Sequence, residues 1–188
     1  KIVPDSAITI IEPDVELSEK CRKKNFKVIE STLEEVTNNH YENFDLVTCF
    51  EVIEHAYDPF EFVKGLYNLL RVGGITVVTG LGVEGFDIQV LWEKSKSISP
   101  PHHINFISVN GFLELFNRVG FENVEVITPG VLDVDIVKTQ INSDITSEMN
   151  LSRFEKLIFS RGEKFLADFQ TLLAKHQLSS HCWIIAQK

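Results

Sequence analysis

Alternation is the feature that most limits what this 188-residue chain can fold into: short apolar runs repeatedly give way to segments of helical spacing, with no internal repeat or low-complexity tract between them. That order predicts a single α/β domain over residues 1–188, a mostly parallel sheet covered by helices on both faces. Ala7 to Ile11 is a β-branched run that Pro13 stops, and Asp14 predicts the N-cap of a helix through about Lys24. Phe26 to Ile29 is the next strand, and Phe44 to Phe50 reads as a central parallel strand. Asp58-Pro59 opens a helix with Val63, Leu66 and Leu70 on one face, which Gly73-Gly74 ends before the strand Ile75 to Thr79. A long polar loop follows, from Leu81 to Asn105. Ser108 then caps a helix that Gly120 stops, and Val124 to Thr128 and Cys182 to Ala186 are the last two strands, the final one antiparallel. Between them lies a helical insertion over about residues 138–177, where Phe154, Leu157, Ile158, Phe165, Leu166, Phe169, Leu172 and Leu173 supply two amphipathic faces for packing, a homodimer contact or a substrate lid.

With 44% hydrophobic residues the chain can bury one substantial core. Its formal charge of −9, from 27 acidic and 18 basic residues without a Lys/Arg block, makes nucleic acid an unfavoured partner. Cys21, Cys49 and Cys182 have no CxxC spacing, so reduced thiols in a cytoplasmic protein are the expectation. No run approaches the ~18 apolar residues that cross a membrane, and a signal-peptide layout is missing. Because the first residue is Lys1, upstream sequence is expected to be absent.

Glu51-Val52-Ile53-Glu54-His55 is the densest group of chemistry-bearing residues. A helical turn beginning at Glu51 puts Glu51, Glu54 and His55 on one face at i, i+3 and i+4. Two carboxylates and an imidazole suit a divalent cation, completed by His103 or, in reserve, His102; the same groups can instead organise a loop by hydrogen bonding. Phe86, Trp92 and Pro100-Pro101 form a candidate acceptor wall or ordinary core, and Asp133 and Asp135 are candidates for polar acceptor groups or a solvated strand edge.

FDLVTCFEVIEHAYDPFEFVKGLYNLLRVGG, followed by GGITVVTG, PPHHINFIS and GFLELFNRVGFENVEV, resembles the class I S-adenosylmethionine (SAM) dependent methyltransferases, in particular the branch of the ubiquinone-pathway O-methyltransferases and related bacterial enzymes. The resemblance implies a Rossmann-like sheet and SAM as cofactor. It implies that Glu12 receives the ribose hydroxyls, that Ser31, Thr32 and Leu33 border the adenine, and that Cys49, Phe50 and Glu51 border the methionine portion. The E-x-x-E-H pattern is similar to that of metal-assisted methyltransferases. This implies Mg²⁺ on Glu51, Glu54, His55 and His103, with His103 or His55 taking the acceptor proton.

One departure is plain. The family's acidic G-x-G-x-G motif is missing and no glycine precedes Gly65, so the first strand of that fold is expected to be absent and this chain alone to bind SAM poorly. Three functions stay open on these residues: methyl transfer to a small-molecule acceptor such as a glycan or quinone precursor, metal-assisted 2′-O-methylation of nucleic acid, and a non-catalytic methyltransferase-like binding module.

Overall fold

The computed structural model describes residues 8–36, 40–143 and 151–188. The expected strand start at Ala7 and the middle of the helical insertion lie outside these residues. Strands β1 (Thr9–Ile11), β2 (Lys27–Ile29), β3 (Phe44–Phe50), β4 (Leu70–Leu81), β5 (Glu122–Ile127) and β6 (His181–Gln187) interleave with helices α1 (Val15–Lys23), α2 (Pro59–Leu69), α3 (Phe86–Leu91), α4 (Val109–Val119), α5 (Asp133–Ser143), α6 (Arg153–Phe159) and α7 (Glu163–Lys175).

Local chemistry sets most helix ends. Asp14 accepts from Leu17 N at 2.8 Å, Asp58 from Phe60 N at 2.9 Å, and Ser108 from Gly111 N at 3.0 Å, each satisfying a donor that the first turn leaves open. Gly120 closes α4 in the left-handed region at φ 112°, a conformation that costs a residue with a Cβ. The Gly73-Gly74 pair does not end α2 as expected. The helix stops at Leu69, and fully buried Leu70 already pairs with Phe44 as the first residue of β4.

The strands form two sheets. β1 and β2 pair in parallel, while the larger sheet has the order β3-β4-β6-β5, in which β3 and β4 are parallel and β6 runs antiparallel to both neighbours. Val78, Ile184, Ala186, Cys182 and Val126 pack against α2 and α4 through Phe62, Val63, Leu66, Phe112 and Phe116, which form the main core. Each of these large side chains stabilises the fold by about 1.5–3 kcal/mol. Phe86 links α3 to a smaller core, where Val134, Ile158, Leu166 and Leu173 join α5, α6 and α7.

β3 differs from its expectation as a central strand. Among the described residues it has β4 on one side only, and its outer face leaves Leu46 55% and Phe50 56% exposed. An apolar strand at a sheet edge is a surface that a neighbouring element ordinarily covers. The loop from Leu81 to Asn105 is also more regular than expected, since it contains α3 and a short 3₁₀ turn at Trp92–Lys94.

Candidate active site at the end of β3

Glu51 leaves β3 at φ 54°, in the left-handed region that a residue with a side chain adopts at a cost of about 1–3 kcal/mol. Its N–H donates to Thr79 O at 3.1 Å, and Thr79 Oγ donates to Glu51 Oε1 at 2.7 Å, so two links to β4 hold the turn. The helical segment therefore begins two residues later than the sequence suggests, as a 3₁₀ turn over Ile53–His55. Glu51 consequently does not share a helical face with Glu54 and His55, because its positive φ redirects the chain first.

The 3₁₀ turn is fastened to the loop carrying Pro100-Pro101 and the two histidines. Asn105 is the fastener: its Nδ2 donates to Ala56 O at 2.5 Å and Ile53 O at 3.2 Å, while the backbone N–H groups of Ile104 and Asn105 both donate to Glu54 O. As a result Glu54, His55 and His103 converge, with one ligand-type atom from each within 4.8 Å of the others. The two imidazoles meet edge to face at 4.7 Å between centroids.

Hydrogen bonding fixes what these groups offer. His55 Nδ1 lies 2.7 Å from His102 O and His103 Nδ1 lies 2.7 Å from Ser97 O; a carbonyl only accepts, so both rings carry their proton on Nδ1 and present a free Nε2. Glu54 is 2% exposed, its Oε2 has no hydrogen-bond partner, and burial pushes its pKa up, with the Glu51 carboxylate adding to the shift. A buried unpaired oxygen beside two oriented imidazole nitrogens fits a cation or a shared proton. Two nitrogens and one oxygen suit a borderline divalent ion such as Zn²⁺, Co²⁺ or Mn²⁺ better than Mg²⁺, which favours oxygen ligands. The donor set thus departs from the expected magnesium. His102 contributes its carbonyl to the cluster, and its side chain is exposed.

Glu51 belongs to an adjoining group that sequence reasoning missed. His181 Nδ1 lies 3.4 Å from Glu51 Oε1, and Trp183 Nε1 donates to His181 Nε2 at 2.8 Å. The His181 contact holds Glu51 below the usual glutamate range, and Glu51 in turn raises His181. The H-x-W pattern on β6 was the available signal, because strand residues two apart face the same way.

The remaining cofactor candidates lie at or just after the carboxyl ends of their own strands, β1, β2 and β3. Glu12 follows β1, and its Oε1 accepts from Asp14 N at 2.9 Å at the start of α1. Ser31 Oγ donates to Thr32 O at 2.9 Å, and Leu33 packs on α2, where a Cβ at Gly65 would lie 2.9 Å from its Cγ. Burial pushes the Cys49 thiol up to about 12, with Glu54 adding to the shift, which leaves it a neutral wall rather than a nucleophile. Phe50 is exposed. Asp133, a candidate for acceptor contacts, is 2% exposed at the start of α5 and is removed from any surface role, whereas Asp135 is exposed.

Comparisons with known proteins agree on the fold. A tRNA U34 carboxymethyltransferase of Helicobacter pylori is 30% identical over 108 residues, covering 56% of this chain and 41% of that protein. One from Sulfurovum is 28% identical over 105 residues, covering 56% of this chain and 33% of the relative. The chain thus spans about two-fifths or less of the length of these curated relatives. Among solved structures, a SAM-dependent methyltransferase from Thermotoga maritima, a possible histamine N-methyltransferase, superposes with a TM-score of 0.62 at 20% identity, covering 96% of this chain and 73% of that one. Phosphoethanolamine N-methyltransferase 2 of Haemonchus contortus, solved with S-adenosyl-L-methionine, gives a TM-score of 0.55 at 16% identity, covering 97% and 43%. No helix among the described residues is long and apolar enough to cross a membrane. The family described as Methyltransferase domain matches residues 4–126, well over half of the sequence, and the chain belongs to that family.

Proposed function

We propose that this chain carries the acceptor side and part of the cofactor side of an enzyme that transfers a methyl group from SAM to a small-molecule acceptor. The observation that carries this reading is the pair of free Nε2 atoms on His55 and His103 beside buried Glu54, at the end of a strand in a methyltransferase-family sheet. Open α/β sheets bind ligands at that end. SAM supplies an electrophilic methyl group on sulfur, so the protein's duties are to orient the acceptor, exclude water and receive a proton.

His103 or His55 accepts the acceptor's proton at Nε2, and Glu54 stabilises the imidazolium that results. Glu12 offers a carboxylate to the ribose hydroxyls, Ser31, Thr32 and Leu33 flank the adenine, and Cys49, Phe50 and Glu51 flank the methionine portion. If instead a divalent cation is held by Glu54, His55 and His103, both Nε2 atoms are occupied; the cation would supply Lewis-acid polarisation of an acceptor oxygen, and the acceptor's proton would pass to solvent rather than to a histidine. Of the two aromatic candidates for the acceptor wall, Phe86 is taken up by the smaller core and exposed Trp92 is left for the wall, while the exposed apolar residues Phe154, Leu157 and Leu172 suit a homodimer contact.

Transfer to nucleic acid is the second reading, favoured by the likeness to tRNA U34 carboxymethyltransferases, whose name gives tRNA as the acceptor and a carboxymethyl rather than a methyl group, and opposed by the charge of −9. The natural full-length protein, supplied with SAM labelled on its methyl group, is tested against small amines, phenols and polyols and against bulk tRNA. Label in small molecules supports the proposal. Label confined to tRNA replaces it with the second reading, and SAM binding without any transfer across these acceptors points to the binding module.

A further inference from the structure

Two carboxyl side chains are buried in the interior beside the site. Asp87 on α3 is 0% exposed and Asp133 on α5 is 2% exposed. Their surroundings are unequal. Asp133 Oδ2 accepts from Ser179 Oγ at 2.6 Å and Gln170 Nε2 at 2.7 Å, and its Oδ1 accepts from Ser180 N at 2.8 Å and Ser180 Oγ at 3.4 Å. Those donors are the complement of an ionised carboxylate. Both oxygens of Asp87, by contrast, are buried without a partner at hydrogen-bonding geometry.

An unpaired charge in such a place is costly, and a proton or a cation can remove it. The number of ligands decides between them. Among the described residues no third carboxylate, imidazole or thiol joins the two carboxyls within ligand reach, so a cation would have too few side-chain ligands and a proton is left. Phe86 N donates to Leu178 O at 2.8 Å and Ser180 N donates to Asp133 Oδ1 at 2.8 Å, so α3 and α5 flank the same Leu178–Ser180 segment.

We propose that Asp87 and Asp133 share a proton, and that this proton latches α3 and α5 to the Ser179-Ser180 entrance of β6. With the proton on Asp87, the acid donates to Asp133 and the pair carries one charge. When the proton leaves to solvent, two carboxylates face each other in a dry interior, and the latch opens. Burial, opposed by the Ser180 hydroxyl and reinforced by the neighbouring Asp133 carboxylate, places the Asp87 titration at about 6.

The other titratable groups around the pair do not relieve that repulsion. From β6, His181 is committed to Glu51 before Asp133, and Cys182 is a neutral thiol pushed up to about 12 by burial. Glu84, just before α3, accepts from Val109 N, and α7 presents neutral Gln170 to Asp133. The latch is independent of methyl transfer; its relevance to catalysis alone rests on the proposed acceptor wall, since α3 leads directly into Trp92.

Carboxyl-carbon NMR of the unmodified chain, without cofactor, reads the titration directly. Asp87 is expected to titrate near 6, and hydrogen exchange in α3 and α5, corrected for its intrinsic pH dependence, to quicken as the pH rises through that value. In Asp87→Asn, whose amide donates without titrating, exchange should be insensitive to this step, and the variant should melt roughly 5–10 °C above the natural protein at pH 8. An ordinary aspartate midpoint near 3.8 overturns the proposal, as do identical melting-versus-pH curves for the two proteins. If Asp87→Asn does not fold, the NMR titration of the natural chain still decides.

Discussion

His181 Nδ1 stands 3.4 Å from Glu51 Oε1, so the first residue of β6 faces the residue that follows β3 across the intervening strand β4. Trp183 donates to the opposite ring nitrogen and therefore opposes the protonation that Glu51 favours. The two influences can be separated. Proton NMR of the imidazole should show the His181 midpoint falling in Glu51→Gln and rising in Trp183→Phe. No change in Trp183→Phe rejects the opposing role of the indole.

The same pair has a defined pH window. His181 is raised above its ordinary 6.5, so its share of the stability is complete below 6.5 and fades as pH rises through the folded value. Glu51 is lowered from 4.5, so its share is complete above 4.5 and is lost as pH falls through the folded value. The link is strongest between pH 4.5 and 6.5. Both side chains are more than a third exposed, and solvent screening keeps the effect small. A double-mutant cycle with Glu51→Gln and His181→Gln should give its largest coupling in that window and a smaller one at pH 9.

Cation binding at Glu54, His55 and His103 is expected to favour Co²⁺ or Zn²⁺ over Mg²⁺. Equilibrium dialysis checks the order, and the visible absorption of Co²⁺ reports nitrogen ligation. Glu54→Ala should weaken the binding by roughly 100-fold, while Glu51→Ala should leave it nearly intact, because Glu51 bonds to Thr79 instead. Binding of Mg²⁺ ahead of Co²⁺ contradicts the donor argument.

What was legible in the sequence was mostly local. The caps at Asp14, Asp58 and Ser108 act within three residues of themselves, and the strand β3 declares itself by its apolar run. The exposure of Leu46 was not legible, since it depends on which strand stands alongside. The helix α5 was hidden by the alternation in LDVDIV, which resembles a strand edge, while the groups that bury Asp133 lie 37 to 47 residues away. The site was legible in its residue types and only partly in its grouping. Glu54, His55 and His103 do converge, but the positive φ at Glu51 could not be read from a residue that rarely adopts it.

Asn105→Ala should loosen the site without touching its ligands. Removing the side chain strips a donor from the carbonyls of Ile53 and Ala56, and two lost hydrogen bonds to partly buried acceptors cost about 2–4 kcal/mol. Urea unfolding measures the loss. A change under about 0.5 kcal/mol means that water replaces the amide and that Asn105 is not the fastener.

Gly80→Ala tests whether the position of Glu54 depends on packing beneath it. A Cβ at Gly80 would lie 2.6 Å from Ile53 Cγ2 and 3.3 Å from Glu54 Oε2, and Ile53 is only 1% exposed. The methyl carbon of Ile53 has to give way, and displacement of that residue moves the next one, which carries the buried carboxylate. Overpacking of this kind costs about 1–3 kcal/mol. Ile53→Ala removes the opposing carbon and by itself costs about 2–5 kcal/mol through the cavity it leaves. If the clash is the cause, the two substitutions together should destabilise less than the sum of the singles, by about 1–2 kcal/mol in a double-mutant cycle. The Gly80→Ala variant should also lose Co²⁺ affinity, and the double variant should recover part of it. Strict additivity in both measurements shows that the contact at Gly80 does not set the place of Glu54.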